Sequence, residues 1–298
     1  MLTRSRRAWW LCVLLAYSGA RAAEGVPVLR VTAPNGQTSV LMATMHIGHP
    51  ALRQPAPSFL RGARALVIEH LMDDAIEERA MAPDAMDSLK ADQPPQAAWS
   101  KALSEAQKAE LFERAKCFSV RPMRRDVFDY LFGLRSPRFM SMLASYPCIP
   151  MRSRDTLVMQ SANAQQIPLI PLESAADIAQ RRSAIPDRIY AEWLYRALSI
   201  DTVAYYGQLA DLLNRGDYAA VLSETTNMAA DPADNALYKR IMLDERNHAW
   251  IAPLRAELDA GNVVVLVGAA HLPGPDGLVA LLQAAGYRLD PIQVPSAP

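Results

Sequence analysis

The chain carries five histidines, His46, His49, His70, His248 and His271. Imidazole titrates near neutral pH, so it transfers protons and ligates divalent metals more readily than other side chains. Three of the five lie within four residues of the C-terminal end of a predicted strand. His46 follows Ala43-Thr44, Glu69-His70 ends the run Ala65-Leu66-Val67-Ile68, and His271 follows Val263 to Val267 through Gly268-Ala269-Ala270. In α/β sheets, ligand sites form outside the carboxyl ends of strands, where side chains leave a rigid support and enter a crevice. One site can therefore receive His46, Glu69 and His271. Two imidazoles and a carboxylate leave an open position on a divalent ion, whose bound water loses its proton near neutrality. Without a metal, Glu69 or a histidine would act as general base on water. The bland alternative is a set of capping or core-satisfied polar groups, against which the shared strand-end placement argues.

Other polar residues are ambiguous. Gly268, directly after a buried strand, allows a tight turn or the close approach of a ligand. Glu173 is either a second-layer carboxylate or an acid at a helix N-terminus, the latter slightly favoured. Arg246-Asn247 sits inside a helical stretch, where Asn is mildly unfavourable. The pair can orient a carboxylate or stabilise developing negative charge, or it belongs to the solvated run Asp244-Glu245-Arg246. His49 and His70 read as loop or surface residues, and His248 as surface. There is no G-x-S-x-G elbow, H-E-x-x-H, Walker A loop or G-x-G-x-x-G, which disfavours serine hydrolases, zincins and nucleotide enzymes.

The elements that must position these groups follow from hydrophobic pattern. Val26–Val31 and Ser39–Thr44 are β-rich and flank Asn35-Gly36, a hairpin-turn signal. Ala65–Glu69, Ile167–Leu172, Asn262–Val267 and Tyr287–Val294 read as further strands; Pro168 and Pro171 put the second of these at a sheet edge. A short helix is expected over Pro57–Arg64. Residues 73 to about 135 are Ala-, Glu-, Met- and Leu-rich and read as helices broken at Pro94-Pro95. Further helices are expected over Asp155–Gln165, Pro186–Asn214 with Gly216 as stop, Pro232–Leu258 with a kink or break at Pro253, and Gly277–Ala285. The fold class is α/β. A central mixed sheet takes strands from both chain ends, is flanked by helices, and carries a helical insert over about residues 73–165 within a single domain, 23–298.

Residues 1–22 read as a signal peptide. Arg4, Arg6 and Arg7 precede the apolar run Trp9–Tyr17, and Ala20-Arg21-Ala22 gives a small-x-small cleavage pattern. The run falls short of the ~20 residues of a spanning helix, and no later stretch is longer. Arg6-Arg7 hints at twin-arginine export. Four of the 31 basic residues and none of the 31 acidic ones lie in this leader, leaving 27 basic against 31 acidic. A mildly acidic body has no electrostatic footprint for nucleic acid. Beyond Cys12, Cys117 and Cys148 remain; in an oxidising compartment they are either bonded or two lone thiols.

On these blocks the chain resembles the TraB/GumN family, which includes the Tiki metalloproteases and a pheromone-shutdown protein. The resemblance rests on Ala43-Thr44-Met45-His46 and Gly268-Ala269-Ala270-His271 as the paired G-x-x-H motifs. It rests also on Glu69 at the acidic position, Leu172-Glu173-Ser174, Glu245-Arg246-Asn247 and Ala285-Gly286-Tyr287. It implies a fold similar to the erythromycin-esterase and ChaN-like group and a metal-dependent hydrolase, peptidases of the family using manganese or cobalt; zinc is a further option. His46, Glu69 and His271 would hold the metal, with Glu69, Arg246 and Asn247 in catalytic roles. One departure is Ala43 where the family has glycine, harmless if its φ is negative.

The expected function is an exported, periplasmic or secreted metal-dependent hydrolase of a peptide or other small substrate. It would have no nucleic-acid partner and no membrane span once the leader is removed, and its oligomeric state is left open. The rivals are a non-catalytic binding or assembly factor that keeps the fold, and a metal-free esterase using Glu69 and a histidine.

Overall fold

The computed structural model describes residues 25–71, 96–118 and 124–297. The expected leader and the break at Pro94-Pro95 lie outside the described residues. Six strands form one sheet: β1 (Val26–Thr32), β2 (Thr38–Thr44), β3 (Ala65–Ile68), β4 (Leu169–Pro171), β5 (Val263–Gly268) and β6 (Arg288–Val294), in the spatial order β4-β3-β5-β2-β1-β6. β4, β3, β5 and β2 run parallel, and β1 and β6 add antiparallel. The sheet is thus mixed and drawn from both ends of the chain.

Each strand forms for a local reason. β1 and β2 are joined by the Asn35-Gly36 turn, where Gly36 takes φ 87°, a left-handed value that glycine adopts without cost. β5 is buried along its whole length. A parallel inner strand is covered on both faces and so reads as unbroken Val and Leu. β4, with Pro171, lies at the edge, where a missing N–H costs no ladder bond.

The two faces can be read from alternation. Leu41, Ala43, Ala65, Val67, Val263, Val265 and Val267 enter one core, shared with Leu209, Leu213, Trp250 and Leu254. Met42, Leu66, Ile68, Val264 and Leu266 enter the other, against Val158 and Ala162.

Besides a single helical turn, Ala98–Lys101, the described residues form the helices α1 (Glu105–Phe118), α2 (Arg125–Leu131), α3 (Arg138–Ser145), α4 (Arg154–Ala164), α5 (Ala175–Ala184), α6 (Asp187–Ala197), α7 (Thr202–Arg215), α8 (Tyr218–Thr226), α9 (Pro232–Lys239), α10 (Glu245–Ala260) and α11 (Leu278–Ala284). The helical middle has its own apolar cluster of Trp99, Leu111, Phe128, Phe132, Met140 and Leu143, which Leu194 of α6 joins. Among the described residues no helix is long and apolar enough to cross a membrane.

Four expectations change. The short helix at 57 is a 3-10 turn, Pro57–Leu60. α5 was not expected, although Ser174 and Asp177 form a capping box at its start. α8 was also missed, although Asp217 caps it. The stretch 232–258 is helical, but α10 continues through Pro253, and the irregularity is instead a π-helical segment, Arg240–Asp244, between α9 and α10.

Cys117 and Cys148 are bonded, with Cα atoms 5.2 Å apart. The bond ties the end of α1 to the loop after α3 and closes a loop across 31 positions. Such a closure restricts the unfolded chain by about 3–4 kcal/mol. The double substitution Cys117→Ser with Cys148→Ser is expected to lower the unfolding free energy from chemical denaturation by that amount, with a lower midpoint. Reducing the wild type should match it, and an unchanged midpoint in both would contradict the assignment.

Candidate functional site

The four parallel strands end on the same side of the sheet, and each end delivers one polar group. His46 lies just past β2, Glu69 directly after β3, Glu173 two residues past β4, and His271 in the 3-10 turn Ala269–His271 after β5. Register brings these ends level: Thr44 pairs with Gly268, and Ile68 pairs with both Leu266 and Pro171. The Glu173 N–H donates to the Glu69 carbonyl at 2.9 Å, which locks the two carboxylate-bearing turns together.

Gly268 is the floor. A Cβ added there would lie 3.2 Å from Glu69 Oε1, 3.4 Å from His46 Nε2 and 3.5 Å from His271 Cδ2. Its φ is −56°, so glycine is required for close approach and not for backbone conformation. His46, Glu69 and His271 therefore converge as expected, over a position that has no side chain. Ala43 occupies ordinary strand backbone outside the left-handed region, and it packs in the core. Its departure from glycine carries no strain.

Arg246 is the hub. It is 5% exposed, and every guanidinium N–H finds an acceptor. Nε donates to Glu173 Oε1 at 2.9 Å, and Nη2 donates to Glu173 Oε1 at 2.5 Å and to Glu69 Oε2 at 2.7 Å. Nη1 donates to the Met242 carbonyl at 3.0 Å and faces His271 Nε2 at 3.1 Å. The guanidinium also lies 4.6 Å from the ring centre of Trp250, which packs on the His271 ring at 4.5 Å. The charge-run reading of Arg246 therefore fails: this side chain is buried and bidentate. Glu173 is likewise corrected, because its partner is Arg246 and not a helix terminus. The π segment just before α10 resets the phase of the helix immediately ahead of Arg246.

Asn247 fixes the state of His271. Its Nδ2 donates to the carbonyls of His271 and Asp276, at 3.2 and 2.8 Å, which leaves Oδ1 to accept from His271 Nδ1 at 2.7 Å. The proton is thus on Nδ1, and the lone pair on Nε2 faces Arg246. Burial and the neighbouring cation Arg246 push the His271 pKa down to about 3, so the ring is neutral. For Glu69, burial alone would raise the pKa. The charges of His271, which is protonated only in acid, of His46 and of Arg246, with the Gly268 N–H that donates to Oε1 at 2.6 Å, outweigh it and hold the carboxylate far below its usual range.

His46 is the opposite case. Its side chain is 62% exposed, with Nδ1 3.3 Å from Asp155 Oδ1 and Nε2 3.7 Å from Glu69 Oε1. Desolvation lowers its pKa, but the charge and hydrogen bond of Asp155, aided by Glu69, raise it to about 9 against the opposing Arg246. Asp155 was not singled out in the sequence. It is the second residue of α4, a helix capped by Ser153, and its Oδ2 accepts from the Thr44 hydroxyl at 2.7 Å. The signal was an acid beside a cap, which is normally read as a dipole effect. Arg154, 1% exposed, anchors this corner by donating to the Ala43 carbonyl at 2.7 Å.

His49 is in a loop as expected but is buried, its Nδ1 accepting from the Ala51 N–H. His70 is partly buried in a loop, and His248 is exposed and pairs with Asp276 at 2.9 Å.

The donors do not fit the expected three-ligand metal site in this arrangement. The single free lone pair of His271 and one oxygen of Glu69 both face Arg246, and the other oxygen takes the Gly268 N–H. Among the described residues no group of three or more His, Cys, Asp or Glu side chains is arranged to hold a metal ion. A fixed guanidinium supplies positive charge at that point.

Removing that cation leaves Glu69 and Glu173 buried without compensation. Arg246→Met is expected to cost about 3–5 kcal/mol in chemical denaturation, and a loss below 1 kcal/mol would contradict the hub. The pH dependence follows from the same groups. His271, neutral in the fold to about pH 3, makes stability fall as pH drops from 6.5 towards 3, with a limiting slope of ~1.4 kcal/mol per pH unit; Glu69 adds to the loss below its ordinary pKa. His46 contributes fully below 6.5, and its contribution is lost as pH rises through about 9. Denaturant midpoints between pH 4 and 9.5 should peak near 6.5, and His271→Asn should flatten the acid side.

No curated protein and no solved structure matches the chain. A family model does match, that of the TraB/PrgY/gumN family, over residues 27–291. That span takes in every strand end described above, and the chain belongs to the TraB/PrgY/gumN family.

Proposed function

We propose that the site over Gly268 hydrolyses an acyl bond, an amide or an ester, with His46 and Glu69 as its acid–base pair. The observation that carries this reading is geometric: His46 Nε2 stands 3.7 Å from Glu69 Oε1 across a floor without a side chain, while Asp155 orients the other ring nitrogen. Two titratable groups whose surroundings push their pKa values apart divide naturally into an acid and a base. His46 keeps its proton at neutral pH, and Glu69 stays ionised.

The chemistry balances with these two groups. Water adds to the carbonyl carbon and gives a proton to Glu69. His46 gives a proton to the leaving nitrogen or oxygen as its bond to carbon breaks. Transfer from Glu69 to His46 then restores the starting state. Arg246 and the Gly268 N–H hold Glu69 in place, and Asn247 holds His271 neutral, so that it adds no competing charge.

Export to an oxidising compartment is part of the same proposal. The basic, apolar and small-residue pattern of residues 1–22 supports it, as does the bond between Cys117 and Cys148. Mature protein from the periplasmic or extracellular fraction is expected to begin near residue 23, and a retained Met1 there would overturn it.

The catalytic reading is tested by pH–rate profiles on chromogenic amides and esters. Activity is expected to persist below pH 4.5 and to be lost as pH rises through about 9. Asp155→Asn should bring the alkaline limb back towards 6.5, and His46→Ala should cost about 10²–10⁴-fold in kcat. Wild-type activity unaffected by His46→Ala would end the proposal. Stoichiometric manganese, cobalt or zinc that is lost in His271→Ala would replace it with the metal-dependent hydrolase. Absence of turnover on every acyl substrate would leave the binding or assembly factor.

A further inference from the structure

The helices beside the floor bring together aromatic side chains that the acid–base pair does not use. Trp193 of α6 meets Tyr238 of α9 edge-on, with ring centres 4.3 Å apart. Tyr205 and Tyr206 of α7 also meet edge-on, with ring centres 5.3 Å apart. Both groups border the polar site. Tyr238, Met242 and Arg246 succeed one another at four-residue steps through the π segment, and Arg246 donates to the Met242 carbonyl. The Tyr238 phenol, its pKa raised first by burial, also feels the charges of Arg246 and Glu69. Gly207, next to Tyr206, faces the His49 ring three residues beyond His46; a Cβ there would lie 3.2 Å from His49 Cε1.

One of these polar tips has a protein partner and three do not. The Tyr205 hydroxyl donates to the Glu224 carbonyl. Among the described residues neither the Tyr206 nor the Tyr238 hydroxyl has a protein hydrogen-bond partner, and both belong to partly buried residues whose hydroxyls reach solvent; the Trp193 indole N–H alone of the three is buried without a partner. A buried donor left unmade is costly, and native structures normally satisfy it with protein, water or ligand. Three exposed apolar side chains lie close in the chain to residues already named. Leu71, two residues past Glu69, is 48% exposed, and Val203, at the start of α7, is 43% exposed. Met151, whose carbonyl packs on Gly48, is 41% exposed. Apolar surface with a few convergent polar groups is the usual make-up of a small-molecule site.

We propose that Trp193, Tyr206 and Tyr238 form the substrate-binding wall of this site, selecting an amide substrate that carries an aromatic side chain. The aromatic ring packs on Trp193 and Tyr238, in the offset or edge-on geometry such pairs prefer. The substrate amide carbonyl accepts from the Tyr206 and Tyr238 hydroxyls. The catalytic consequence rests on the hydrolytic reading above; the binding does not.

Calorimetric titration of the full chain with N-acetyl-phenylalaninamide and N-acetyl-alaninamide tests it. The phenylalanine probe is expected to bind at least about tenfold more tightly, in the wild type and equally in His46→Ala. Trp193→Ala should bring that ratio to within about threefold. Tyr206→Phe and Tyr238→Phe keep the rings and so should fold; each should weaken both probes by about three- to tenfold and leave the ratio unchanged. Equal binding of the two amides, or binding of neither, overturns the wall. Selective binding without turnover on any acyl substrate overturns the hydrolytic reading and leaves the wall standing.

Discussion

A guanidinium cannot shed its charge inside a protein, so burying one dictates what surrounds it. Arg246, 5% exposed, requires two carboxylates and a ring nitrogen, and Glu69, Glu173 and His271 come from three different strand ends to meet it. The constraint runs in both directions. Glu69 and Glu173 lie side by side on adjacent parallel strands, where two buried carboxylates without a cation between them would repel and would not ionise together. The network therefore fixes the protonation of the site and also holds the strand ends in register. Breaking a buried pair costs far more than its mere presence contributes, which makes the hub a stronger determinant of this site than of overall stability.

The two site histidines show how much environment outweighs residue type. His271 is buried, gives its Nδ1 proton to Asn247 and presents its lone pair to Arg246, so it is neutral. His46 is largely exposed, faces Asp155 and Glu69, and is charged. Paired sequence motifs suggest two equivalent ligands, whereas the arrangement gives one mobile proton and one fixed polar wall. That asymmetry is the basis of the acid–base reading proposed for the site, in which the two rings do different work.

The sheet was legible because its signals are short-range. Unbroken Val and Leu in β5, the Asn35-Gly36 turn, and the Pro-bearing run at β4 each state a local environment. The convergence of His46, Glu69 and His271 was legible because parallel strands must end on one side. What could not be read depends on distant partners. Asp155 stands beside a helix cap and looks like a dipole acid; only the Thr44 hydroxyl and the His46 ring give it another role. Glu173 and Arg246 are each commonplace alone, 73 positions apart, and are explained only by each other. The π segment has no proline or glycine to announce it, whereas Pro253, which did suggest a break, is tolerated within α10.

Gly268 and Ala43 carry this argument to its last step. They occupy matching places in the two motifs and nearly pair across β2 and β5, since Ala43 is opposite Val267 and Thr44 opposite Gly268. That offset of one residue changes everything, because successive side chains along a strand point to opposite faces. Ala43 points its methyl into the core, where an extra carbon is an asset. At Gly268 the same carbon would stand within 3.5 Å of Glu69, His46 and His271 at once. The pseudo-symmetry of the motifs therefore holds for the backbone and not for the space above it. The position without a side chain lies between Glu69, His46 and His271, beside the Arg246 guanidinium that pairs with Glu69. There a methyl group would press on three polar side chains, whereas at Ala43 it packs among apolar ones.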